Sequence, residues 1–174
     1  MTTMGELPVL ETDRLRLRPF AADLSDLDAM VPVLGDPYSM RFYPHPFDRA
    51  GVRAWIERQL DRYRVDGFGL CAIEELETGE VLGDCGPTIQ YVDEAAFVEL
   101  GWHVRPDRQG EGIATEAGTA WRDHCHGVAG IARLISLIRP ENLASGRVAH
   151  KLGFRPWRET VRDGMAHVVW SHEQ

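Results

Sequence analysis

"VELGWHVRPDRQGEGIATEA", residues 98–117, decides how the rest of the chain reads. It begins as an apolar strand and ends in a helix. The helix carries Ile113, Ala117, Ala120, Trp121 and Cys125 near one face, with Gly127 after it. Between strand and helix sit Gly110 and Gly112. Glycines just before a helix let the backbone approach a ligand closely, and the first helical N–H groups then face an anion. The stretch therefore reads as a phosphate cradle.

Working outward, "EAAFVELGWHV" completes the strand before the loop, and two hairpin strands precede it, "FGLCAIEE" and "EVLGDCGPTIQYV", joined at Thr78-Gly79. Upstream, "LETDRLRLRPF" alternates Leu15 and Leu17 against Arg14, Arg16 and Arg18, the period of one half-buried strand. A helix follows with Asp23 as its N-cap and Leu24, Leu27, Met30 and Val31 on one face. "PYSMRFYPHPF" is a loop rich in rings, readable as pinned to the core or as a substrate wall. From Asp48 a second helix repeats Val52, Trp55, Ile56, Gln59, Leu60 and Tyr63. Downstream come the strand "ARLISLIRP", the short helix "NLASGRVAHKLGF" and two strands around Asp163-Gly164, a hairpin signal. The order β-α-α-β-β-β-α-β-α-β-β is that of one mixed α/β domain spanning 1–174.

Composition excludes several classes. The longest apolar runs fall short of the roughly 20 residues of a membrane span. The N-terminus lacks the basic-then-apolar pattern of a secretory signal, so a cytoplasmic protein is expected. A net charge of −8 argues against nucleic acid as a partner and is compatible with a cationic amine. Cys71, Cys85 and Cys125 form neither a disulfide framework nor a zinc motif. In "HCH" (124–126) adjacent helical positions diverge, so these read as a core thiol between surface histidines, with no metal expected.

Three phosphate-binding patterns compete for the glycine loop. A P-loop needs a lysine directly after its second glycine, and none stands near Gly112 or Gly118. A dinucleotide fingerprint would place Thr115 at its third small position and follow a parallel strand, against three antiparallel candidates here. The pattern Q/R-x-x-G-x-G/A fits Gln109, Gly110, Glu111, Gly112, Ile113 and Ala114. With "LETDRLRLRPF" upstream and "RPENLASGRVAHKLGF" downstream, the chain resembles the Gcn5-related N-acetyltransferases (GNAT), and among them the RimJ/RimL-type branch. The similarity is densest from Phe97 to Phe154.

The resemblance implies a mostly antiparallel, twisted mixed sheet flanked by helices, with an acetyl-coenzyme A-binding core at about 97–154. It implies that acetyl-coenzyme A is held by the loop Gln109, Gly110, Glu111, Gly112, Ile113, Ala114 and Thr115. Backbone groups of Trp102, His103 and Val104 would meet the thioester on a strand splayed from its neighbour, and Asn142 would meet the pantetheine arm. Glu111 is a carboxylate beside a diphosphate, with Arg105 and Arg108 at hand to offset it. The implied reaction is direct attack of a primary amine, from a protein N-terminus or a small molecule. Glu99, the polar member of an apolar strand, is either the general base or a carboxylate paired with Arg105 or Arg133. The helix tyrosine of many relatives falls at Ala149, so Ser145 is the expected proton donor to sulfur. Asn142 also suits the N-cap of that helix. A non-catalytic acyl-coenzyme A-binding module is the alternative function, and self-association through the last hairpin is a further expectation.

Overall fold

A computed structural model of the chain describes residues 7–174. The strands are β1 (Leu10–Glu11), β2 (Leu15–Arg18), β3 (Cys71–Glu75), β4 (Val81–Val92), β5 (Ala95–Val104), β6 (Arg133–Ile138), β7 (Arg155–Arg162) and β8 (Met165–Glu173). The helices are α1 (Leu27–Leu34), α2 (Arg49–Val65), α3 (Ile113–Gly127) and α4 (Leu143–Lys151). All eight strands form one sheet in the order β1-β2-β3-β4-β5-β6-β8-β7. Only β5 and β6 pair in parallel; every other neighbour is antiparallel. The α/β class, the mostly antiparallel mixed sheet and the order of the longer elements are those expected from the sequence.

Two apolar clusters hold helices to the sheet. Ile113, Ala117, Trp121 and Cys125 of α3 and Ala149 of α4 pack with Leu15, Leu17, Ile73, Leu82 and Leu100. Met30, Val33 and Leu34 of α1 pack with Val52 and Ile56 of α2, Phe20 and Met40. The helical spacing of each set is what lets one face of each helix bury while the other stays polar. The last hairpin turns at Asp163 and Gly164, both at positive φ (52° and 73°), as a tight strand-matched turn requires.

Three local expectations are corrected. "LETDRLRL" is two strands, because Thr12 makes a turn: its amide donates to the Leu15 carbonyl (2.9 Å) and its hydroxyl accepts from the Leu15 amide (3.0 Å). Asp23 does not cap α1. Its carboxylate accepts from the Ser25 amide, Leu24 takes φ 62°, and the helix starts after Asp26. Asp26 is held there by a two-pronged pair with Arg18 (2.9 and 3.0 Å). His126 is not a surface histidine. It is 7% exposed, with Nδ1 2.6 Å from the Ile131 carbonyl and Nε2 2.9 Å from His172 Nδ1.

Candidate active site

The strand that leads into the glycine loop parts from its neighbour. β5 and β6 share only the pairs Val98–Leu134 and Glu99–Ile135, whereas β4 stays paired to β5 as far as Val104. Where the ladder stops, side chains take up the backbone groups. The Ser136 hydroxyl donates to the Leu100 carbonyl (2.7 Å), and the Leu137 amide donates to Glu99 Oε1 (3.1 Å). These bonds hold the split open without leaving buried polar groups unpaired.

Two clefts open on either side of this split. The first, about 340 Å³, is lined by the loop Gln109, Gly110, Gly112, Ile113, Ala114 and Thr115, by Trp102 to Val104, and by Asn142 and Ser145 of the α4 start. The loop 38–43 closes it from above. The second, about 260 Å³, holds Glu99, Thr88, Gly101 and the rim of the last hairpin. Tyr43, Trp102, His103, Asn142 and Ser145 line both, so the two clefts meet there. Gly86, opposite Gly101 in the ladder, has no room for a Cβ: one would lie 2.6 Å from the Gly69 carbonyl.

The cradle has the form an anion needs. Gly110 and Gly112 lie at φ 83° and 81°, and a Cβ on Gly110 would meet nothing within 4 Å, so these glycines serve conformation, not packing. Gly112 occupies the N-cap of α3 and offers no side chain, so the first-turn amides of that helix keep their donors open. The loop is tied down from behind. Glu116 accepts from the Thr12 hydroxyl (2.6 Å) and from Arg14 Nε (2.7 Å), and Arg14 reaches the Glu111 carbonyl (3.1 Å). Positive-φ glycines, open amides and nearby Arg41, Arg147 and Lys151 fit a diphosphate-bearing ligand such as coenzyme A.

Not every expected residue faces the cleft. Glu111 does not line it; its carboxylate pairs with Arg108 (2.9 Å), which also holds Glu75 (2.7 Å). Arg105 is engaged elsewhere, with Asp107 and Glu80. The Gln109 side chain ties the loop to Ser39 Oγ (3.1 Å) and the Val104 carbonyl (3.0 Å). The side chain of Ile113 is in the core, so its contribution to the cleft is backbone.

Glu99 pairs with neither Arg105 nor Arg133; Arg133 meets Glu173 instead. Burial pushes its carboxyl above the usual range, opposed by the Leu137 amide and by the nearby Arg162 and Arg62 guanidiniums. Asn142 does cap α4, accepting from the Ser145 amide at 3.1 Å. Ala149 is fully buried in the core and lines neither cleft, so the α4 positions that do are Ala144, Ser145, Arg147, Val148 and Lys151.

A chain of hydrogen bonds at the junction was not anticipated from the sequence. Asp84, fully buried, accepts from Trp55 Nε1 (2.8 Å) and from His103 Nδ1 (2.7 Å). With Nδ1–H given to the carboxylate, His103 turns Nε2 toward the Tyr43 hydroxyl, 2.6 Å away. The cross-strand register that puts Asp84 opposite His103 is the signal that was available, once β4 and β5 are aligned. Asp84→Ala would leave two part-buried donors without an acceptor. We expect a loss of about 2–3 kcal/mol, or a drop of roughly 5–10 °C in the thermal midpoint, with Asp84→Asn intermediate. Thermal unfolding of the three proteins checks it; equal midpoints would mean the chain of bonds does not form.

Among the described residues no group of three or more His, Cys, Asp or Glu side chains is placed to hold a metal, and no helix is long and apolar enough to cross a membrane.

Known proteins share the sequence pattern and the fold. The family model "Acetyltransferase (GNAT) domain" matches residues 14–155. The Bacillus subtilis protein YkkB is 31% identical over 153 residues, 88% of each chain. An acetyltransferase from Agrobacterium tumefaciens superposes with a TM-score of 0.82 at 29% identity, covering 97% of this chain and 96% of that one. RimJ of Mycobacterium smegmatis, solved with CoA-disulfide, shares the fold at 23% identity, with a TM-score of 0.72 over 97% of this chain and 88% of its own. Sequence, split sheet and glycine cradle agree: the chain belongs to the GNAT acetyltransferase family.

Proposed function

We propose that this protein transfers an acetyl group from acetyl-coenzyme A to a primary amine by direct attack. The observation that carries the reading is the meeting of two clefts at the β5–β6 split, a phosphate cradle on one side and the buried carboxylate of Glu99 on the other. The cofactor-binding core is 97–154, supplemented by the loop 38–43 over the first cleft. The loop amides and Arg41, Arg147 and Lys151 bind the phosphates; Asn142 and the β6-facing edge of β5 at Trp102, His103 and Val104 orient the arm. Acetyl-coenzyme A supplies the activated acyl group.

The chain's own work is positioning and proton transfer. Glu99 accepts the proton the amine must lose, and burial, by raising its pKa, makes it a stronger base than a free carboxylate. As the C–N bond forms and the C–S bond breaks, the Ser145 hydroxyl at the junction donates toward the sulfur. The test is calorimetric titration of acetyl-coenzyme A, with NADH and ATP as controls, followed by turnover on a panel of amines. Selective binding with acetylation of at least one amine is expected. Binding without acetylation of any amine favours a non-catalytic module, and no binding removes the cradle reading.

A further inference from the structure

The protein is acidic, with 27 Asp and Glu against 19 Lys and Arg, and most of its arginines have found a carboxylate. Among the described residues, thirteen of the 18 arginines lie within 4.0 Å of a carboxylate oxygen. Arg41, Arg58, Arg62, Arg147, Arg155 and the single lysine, Lys151, do not. Their distribution is uneven. Arg41, Arg147 and Lys151 line the first cleft, where the coenzyme A phosphates account for them. Arg58 and Arg62 line the second, on the far side of the Tyr43–Trp102–His103 junction, and no phosphate of the cofactor accounts for those two.

Arg58 and Arg62 stand one turn apart on α2, a spacing at which like charges repel. Arg62 is half-buried, and its guanidinium is disfavoured by burial first and then by Arg58. Its one recorded hydrogen bond among the described residues is to the Gln59 amide oxygen (3.1 Å). Two more arginines line the same cleft: Arg139, with Glu141 at 3.4 Å, and Arg162, paired with Asp163 at 3.9 Å. Against these four cations the cleft sets two carboxylates, Glu99 and Asp163. Such a cleft repels a polyamine or any other polycation and lacks a counter-charge that a ligand can bring. Its volume, about 260 Å³, suits a molecule of amino-acid size.

We propose that the acceptor is a small primary amine that also carries an anionic group, a carboxylate or a phosphate, bound by Arg58 and Arg62 while the amine faces Glu99. This rests on the second cleft being the acceptor site of the acetyl transfer proposed above. The guanidinium fork suits either anion, and the two are separated by assay.

The experiment compares initial rates on β-alanine, aminoethylphosphonate, propylamine and diaminopropane, together with a short C-terminally amidated, uncharged peptide. It is run on the parent and on the double variant Arg58→Gln/Arg62→Gln. The anionic amines are expected to exceed propylamine in kcat/KM by at least about tenfold, the loss of charge-assisted bonds setting the scale. The double variant is expected to raise their KM by a similar factor with kcat little changed; propylamine, which has no anion to lose, should fall much less, and acetyl-coenzyme A affinity should stay as it was. Whichever anionic amine is faster names the group. Calorimetry of that amine without acetyl-coenzyme A should show binding that the double variant loses. A preference for propylamine, diaminopropane or the peptide, or an equal loss on every amine in the variant, overturns the assignment while the acetyl-transfer reading stands. Acetyl-coenzyme A binding with no amine acetylated overturns that reading, and the acceptor assignment with it.

Discussion

Glu99→Gln is expected to lower kcat/KM for amine acetylation by about 10²–10⁴-fold, the usual contribution of a positioned proton acceptor. The substitution keeps the geometry: the glutamine oxygen still accepts from the Leu137 amide that the β5–β6 split leaves without a strand partner. What it removes is the proton acceptor. Glu99 is active when deprotonated, and burial has raised its pKa, so the parent's rate should climb with pH through that raised value. In the variant this rising limb should vanish. Stability should move the other way. A carboxyl whose folded pKa is raised favours the fold fully below its unfolded pKa of about 4.3 and loses that contribution as pH rises through the folded pKa. At neutral pH the uncharged amide should therefore be no less stable than the parent. A variant that keeps its rate but unfolds earlier would make Glu99 a structural carboxylate only.

Gly112→Val should weaken acetyl-coenzyme A binding by about 100-fold, from two charge-assisted hydrogen bonds at about 1.5 kcal/mol each. The cause is local. Gly112 sits at φ 81°, where a β-branched residue is strained, and relieving that strain rotates the first amides of α3 away from the cleft. A Cβ there would lie 3.6 Å from Arg14, so the fold itself has room for it. Titration of acetyl-coenzyme A into parent and variant measures the effect; unchanged affinity would make the glycine a helix-capping turn and nothing more.

Both residues stand out as candidates in the sequence because their signals are local. Gly110 and Gly112 stand a fixed step before a helical repeat, and Glu99 interrupts an apolar strand. The order of strands and helices followed from the same periodicities. What escaped depends on contacts between distant residues. Tyr43 and His103 are 60 positions apart and His103 and Asp84 are 19 apart, so their bonds exist only once the aromatic loop folds over aligned strands. That loop, "PYSMRFYPHPF", is pinned to the core, Met40 and Phe47 packing into the α1–α2 cluster, while Tyr43 lines the junction of the two clefts. The capping of α1 was missed because Asp26 is chosen by Arg18, on a strand, and not by its helix. The buried His126 was missed for a similar reason, since its partner His172 lies on the last strand. The arginine pair on α2 is visible as letters, yet its meaning comes from the carboxylates that the other arginines take.

The order β1-β2-β3-β4-β5-β6-β8-β7 has a consequence for how the two clefts are completed as the chain is made. Through β6 each strand joins its predecessor, so the sheet can be laid down in the order of synthesis, with few distant closures to delay it. Every residue lining the first cleft has been made once the chain reaches Lys151. The second must wait for Arg162, Asp163, Met165 and His167, carried by the terminal hairpin that docks last against β6. The lining of the first cleft and the last wall of the second are thus successive instalments of one polypeptide. Variation in the final twenty residues can reshape that wall of the second cleft while the glycine loop stays as it is.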